Sequence, residues 1–131
     1  MEVLNVPTRS RTHFVNITSD VQAAVHRLGI DDGVVTVFVP HTTAGVTINE
    51  NADPDVLADM ELVLDRVAPW TGGYAHYEGN TAAHVKTSMM GPSLQVIVED
   101  GRLALGTWQS IYFCEFDGPR SRRVIVQVRG E

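Results

Sequence analysis

Between His41 and Asp53 the chain reads HTTAGVTINENAD, a denser group of bondable side chains than any other stretch offers. It holds the His41 imidazole, the hydroxyls of Thr42 and Thr43, the carboxamides of Asn49 and Asn51, and the carboxylates of Glu50 and Asp53. An imidazole at such a place can move a proton, ligate a metal or bind phosphate. Glu50 is suited to position a metal or a base. Asp53 stands directly before Pro54, and capping a helix accounts for it fully.

Two further groups carry polar chemistry. His84 and Lys86 lie two residues apart in a predicted helix, a spacing that turns them about 200° from one another, so both cannot point straight into one pocket. Asn80 is expected to cap that helix. Farther on, Trp108 offers a face for stacking on a flat ring and Gln109 an amide for its edge. Glu115 and Asp117 share a strand face at i, i+2, which suits a divalent cation or a charged rim. Arg120, Arg122 and Arg123 either grip an anion or form a solvated hairpin end. No His-x-x-x-His, His-x-His or cysteine pair occurs, so a metal centre has to be assembled in three dimensions.

The elements that must position these groups can be read in order. Glu2 to Arg9 and Thr12 to Thr18 read as a hairpin. A helix follows, capped by Thr18 or Ser19, with Val21, Ala24, Val25 and Leu28 on one face and His26 off it; Gly29 stops it. Val34 to Val39 is nearly unbroken in β-branched and aromatic residues, which predicts a central strand buried on both sides that delivers His41 to its rim. A short strand, Val46 to Asn49, comes after Gly45, where a bulge or close approach is expected. Asp53 and Pro54 open a second helix whose Val56, Leu57, Met60, Leu64 and Val67 predict a core stripe. Past a loop at Thr71 to Gly79, a third helix spans Thr81 to Met90 and stops at Gly91-Pro92. The remainder reads as β: a hairpin about Asp100-Gly101, then Trp108 to Phe116 returning through Asp117-Gly118-Pro119 to Arg122 to Val128 as its hairpin partner.

These elements predict one α+β domain over residues 1–131, mainly antiparallel, with about three helices. A chain of 131 residues is long enough for a real core. Its net charge of -6 argues against nucleic acid and anionic membrane as partners. The longest apolar run is too short to span a bilayer and no leader pattern opens the chain, so a cytoplasmic protein is expected. The single cysteine, Cys114, closes no internal disulfide and reads as packing. No dinucleotide or Walker loop is present.

With these residues in view, the chain resembles the YjbQ-like family, the secondary thiamine-phosphate synthase enzyme family. The likeness runs from His41 to the C-terminus through HTTAGVTINENADPDV, YEGNTAAHVKTSMMG and GRLALGTWQSIYFCEFDGPRSRRV. It implies a compact homotrimer with a polar pocket near the subunit contacts. The family's motifs fall on His41, Thr42, Thr43, Asn49, Glu50 and Asp53, on His76, Asn80, His84 and Lys86, and on Trp108, Gln109, Glu115, Asp117 and Arg120. The reaction it implies joins a hydroxymethylpyrimidine diphosphate to a thiazole phosphate with release of diphosphate. His41, His84, Lys86 and Glu50 would then be catalytic. Thr42, Thr43, Asn49, Asn80, Trp108, Gln109 and Arg120 would bind substrate, and His41, His84, Glu50 and Asp117 would hold a divalent Mg or Zn ion. Two alternatives stay open on the same residues: a module that binds a small phosphorylated metabolite or a metal ion without turnover, and a metal-assisted hydrolase.

Overall fold

A computed structural model describes residues Met1–Glu131 and shows an α+β fold of three helices and two antiparallel sheets. In chain order the elements are β1 (Glu2–Pro7), β2 (His13–Asn16), α1 (Thr18–Leu28), β3 (Gly33–Phe38), β4 (Ala44–Glu50), α2 (Pro54–Val67), α3 (Thr81–Met90), β5 (Ser93–Glu99), β6 (Arg102–Leu103), β7 (Gln109–Glu115) and β8 (Ser121–Gly130). The larger sheet runs β1-β8-β3-β5-β6 and the smaller β2-β7-β4. None of the helices is long and apolar enough to cross a membrane.

The main core lies between the two sheets, where Val35, Val37, Val96, Val98, Val124 and Val126 meet Ala44, Val46, Ile111 and Phe113. Val21, Ala24 and Val25 of α1 join this core. A second, smaller core covers the other face of the small sheet: Tyr112, Cys114 and Phe116 pack with Leu64 of α2 and Ala83 of α3. Alternate side chains of β7 therefore enter different cores, as the two-residue period of a strand requires. The strand buried on both faces is β7, with every residue from Ser110 to Glu115 buried, and not β3 as expected. On β3 the outer face keeps Val34 and Thr36 half-buried and Phe38 exposed. Its β-branched run reflects a central place in the sheet rather than two-sided cover.

Two expected hairpins do not form. The β1 and β2 segments diverge to separate sheets, β1 pairing with β8 and β2 with β7. Likewise β7 and β8 belong to opposite sheets, and the turn between them crosses the core edge. A sequence pattern marks each strand but not its partner, and here the burial of both faces of β7 outweighs local pairing. The hairpin about Asp100-Gly101 does form, joining β5 to β6 with both turn residues at positive φ.

Helix limits follow the expected signals more closely. Gly29 takes the left-handed conformation after α1 at φ 72. The residue before α1 is Ile17; Thr18 instead donates to Asn16 Oδ1 at 2.7 Å and accepts the Ile111 amide at 2.8 Å. Asp53 caps α2 by accepting the Asp55 amide at 2.9 Å, with Pro54 opening the helix. The α2 stripe is less buried than expected: Leu64 alone is fully inside and Leu57 packs against the small core, while Val63 and Val67 face outward. Gly45 meets its expected close approach. A Cβ there would stand 2.7 Å from the Gly91 carbonyl oxygen, and that carbonyl accepts the Val46 amide at 3.1 Å. This contact sets α3 against β4 and so fixes where the α3 side chains reach.

Candidate functional site

At the end of β4 and β7 nearest α3, a polar cleft of about 570 Å³ opens. It is lined by His41, Thr42 and Thr43 from the β3–β4 connection, by His76 and Glu78 from the loop before α3, by Asn80 and His84 at the start of α3, and by Asp117, Arg120 and Arg122. The half-site at His41 is thus met by His84 within one chain. Of the remaining expected residues, Thr42, Thr43, Asn80, Asp117 and Arg120 also join it.

Its floor is an ion pair. Arg122 donates through Nε to Glu115 Oε1 at 2.8 Å and through Nη2 to Oε2 at 2.5 Å. Thr8 donates to Glu115 Oε1 at 2.7 Å, and the Asp117 amide to Oε2 at 3.1 Å. Arg122 reaches on to Thr43 Oγ1 at 2.8 Å. Burial pushes the Glu115 carboxyl up, but the bonds from Arg122, Thr8 and the Asp117 amide together outweigh it and hold the group below its ordinary range. The sequence does not show this clamp as a pair: the i, i+2 spacing groups Glu115 with Asp117, and chain proximity groups Arg122 with Arg120 and Arg123. Neither charge is free to work as a base or as an open anion grip.

Arg120 and Asp117 form a second pair nearer the mouth. Arg120 Nη2 donates to Asp117 Oδ2 at 2.9 Å and its Nε to the Asp117 carbonyl at 2.8 Å. Asn80 Nδ2 donates to the same Asp117 oxygen at 2.9 Å. Asn80 does not cap α3 with its side chain, and its Oδ1 is buried without a partner. A buried acceptor left open in a polar cleft is one a ligand donor can satisfy. Glu78, exposed in a glycine-containing loop, stands in the YEGN motif, but no spacing singles it out as a site residue.

His41 accepts the Arg123 amide at Nε2, 3.0 Å away. Accepting there requires Nε2 to carry no proton, so the neutral ring carries it on Nδ1. Burial lowers the His41 pKa first, and the charges of Arg122 and Arg123 lower it further, against an opposing pull from Glu115. The sign for folding follows. A histidine whose folded pKa is depressed binds its proton more readily when unfolded, so it contributes stability above about pH 6.5 that is lost as pH falls through its folded pKa. His41→Gln is expected to flatten that part of the stability profile; urea midpoints measured from pH 7.5 to 5 check it, and parallel profiles for variant and parent would count against the assignment.

The other expected residues lie elsewhere. Glu50 ends β4 opposite Gln109, six strand steps or about 20 Å from the Ala44–Glu115 end that borders the cleft. There it accepts the Ala52 amide at 3.2 Å, while Asn49 accepts the Glu50 amide at 2.8 Å and Gln109 the Gly106 amide at 2.8 Å. Trp108 is 64% exposed at this same far end. Lys86 takes the opposite side of α3 from His84, as its spacing requires. It is only 4% exposed and pairs with Asp65 in a separate cleft beside Trp70, whose ring carries the Arg11 guanidinium at 4.1 Å. Cys114 is buried and its thiol is pushed up to about 12 by burial, consistent with packing. No group of three or more histidine, cysteine, aspartate or glutamate side chains is arranged to hold a metal ion, and the expected set of His41, His84, Glu50 and Asp117 does not come together. That set is split by the length of β4, which carries Glu50 away.

A family profile described as UPF0047 protein YjbQ-like matches residues 2–131. The UPF0047 protein YugU of Bacillus subtilis is 52% identical over 99% of both chains. A UPF0047 protein of Methanocaldococcus jannaschii is 44% identical, covering 96% of this chain and 91% of its own. Among solved structures, an uncharacterized YjbQ/UPF0047 protein of Clostridium acetobutylicum superposes with a TM-score of 0.96 at 53% identity, over 98% of this chain and 100% of the other. The conserved hypothetical protein TT1486 of Thermus thermophilus gives 0.92 at 44% identity, over 98% and 100%. These names assign no reaction, and they overturn the expectation of thiamine-phosphate synthase activity: neither the family description nor the relatives carry it. The geometry agrees with the correction, since Trp108, Lys86 and Glu50, meant for ring stacking and diphosphate departure, all stand away from the cleft.

Proposed function

The chain belongs to the YjbQ-like UPF0047 family, and from the groups its cleft presents we propose that the cleft binds a small phosphorylated metabolite. The observation that carries this reading is the locked His41 ring: with Nε2 occupied by the Arg123 amide, Nδ1–H is the donor left for a ligand in a cleft that Arg120 also lines. The Thr42 hydroxyl and the guanidinium N–H groups of Arg120 not spent on Asp117 add donors for a phosphate's oxygens. The open Asn80 oxygen asks for a donor in return, which favours a metabolite bearing an N–H or O–H group over bare phosphate. The homotrimer implied by the family resemblance belongs to the same reading. The outward Val63 and Val67 of α2 and the exposed Ile97 of β5 are apolar surface of the kind that association covers.

Calorimetric titration with inorganic phosphate, pyrophosphate and a sugar phosphate tests the site. Saturable binding is expected, weakest for inorganic phosphate, and His41→Ala and Arg120→Ala each weaken it by about tenfold or more, the loss of roughly one charge-assisted or donor bond. Heats no different from dilution, or equal affinity in both variants, would remove the cleft from consideration as an anion site.

A further inference from the structure

We infer that His76 and His84 together hold a divalent transition-metal ion in this cleft, each through one ring nitrogen. The ring centres are 5.3 Å apart with planes at 85°. Two imidazoles bound to a tetrahedral zinc at about 2.0–2.1 Å set their ring centres about 5 Å apart, so the observed pair already has the separation that shared coordination needs. His84 is fixed by α3, whose buried Ala82 and Ala83 anchor that turn, whereas His76 comes from the exposed loop before it. Neutral imidazole nitrogen suits zinc, cobalt, nickel or copper, and magnesium prefers oxygen ligands.

With no third such side chain arranged beside them, the ion keeps open positions for water or for oxygens of a bound molecule. The metal would also add net positive charge to the cleft, where the charges of Arg120 and Arg122 are each offset by a carboxylate. This role in anion binding rests on the reading above, while uptake of the metal does not.

Titration of the full chain, stripped by a chelator, with Co²⁺ alone tests the inference through the visible absorption of the bound ion. A saturable band of tetrahedral intensity is expected, displaced by Zn²⁺ and not by Mg²⁺. His76→Ala and His84→Ala each weaken Co²⁺ binding by about tenfold or more. His76→Phe keeps an aromatic edge against His84 and loses the metal equally, which a merely structural pair would not predict. Since His76 lies in an exposed loop, its variants report even where a change in α3 disturbs folding. Absence of the band, or wild-type affinity in His76→Phe, overturns the inference. His41→Ala is expected to retain Co²⁺ while losing phosphate; the reverse result, phosphate kept and Co²⁺ never bound, would leave the anion site standing and remove the metal.

Discussion

Replacing Glu115 with alanine is expected to lower the folding free energy by about 3–5 kcal/mol, the cost of stranding a buried guanidinium without its carboxylate. Arg122 is 5% exposed and Glu115 fully buried, so water cannot replace the lost partner without entering the core edge. Thr8 and the Asp117 amide would lose their acceptor in the same step. Joint replacement, Glu115→Met with Arg122→Leu, removes both charges and is expected to recover much of the loss, since well-packed apolar pairs substitute for buried ion pairs at little cost. Urea denaturation checks this: the midpoint falls in Glu115→Ala with the slope unchanged, and partly returns in the double variant. The pH dependence carries its own sign. Because the folded pKa of Glu115 is held below the ordinary 4.5, its contribution is present above that value and fades as pH falls through the folded pKa. Glu115→Gln should therefore lose part of the acid limb of the stability curve. An unchanged midpoint in Glu115→Ala would mean that this pair, which links β7 of the small sheet to β8 of the large one, contributes nothing to stability.

Phe113→Ala is the second large effect, at about 3–5 kcal/mol. Phe113 is wholly buried in the main core, opposite Val15 on β2 and Val46 on β4, and its neighbours cannot close a cavity without shifting one sheet against the other. Trp108→Ala, on the same segment but exposed, is expected to stay within about 0.5 kcal/mol. Thermal melts of the two variants make the comparison directly. If both lose equal stability, the cover of β7 has been misassigned, and Trp108 has partners that this chain alone does not supply.

Why these effects centre on β7 shows what sequence reasoning could and could not reach. Periodicity marks a residue's face, so the α1 stripe, the Asp53 cap, the Gly29 stop and the Asp100-Gly101 turn were legible from local chemistry, whereas the α2 stripe was read as more buried than it is. Strand partners were not. Both missed hairpins join segments whose partners lie far along the chain, and no local signal says that β2 and β8 belong to different sheets. The same limit governed the cleft. His41 and His84 were visible as histidines at element ends, but only the close approach at Gly45 brings α3 to β4 and the two rings to one opening. Glu50 looked close to His41 because they stand nine positions apart; an extended strand turns that short separation into about 20 Å. Spacing placed Lys86 away from His84 correctly, since helix geometry is local.

The bond from the Arg123 amide to the His41 ring has a consequence for the sheet itself. β3 pairs with β8 as far as Phe38 and Ile125, and continuing that register would set Pro40 opposite Arg123. The chain turns away there, and the imidazole nitrogen accepts the amide that the next rung would have used. His41 is thus a side chain spliced into a backbone ladder. Whatever protonates this ring, or draws its nitrogen elsewhere, also unfastens the last rung between two central strands.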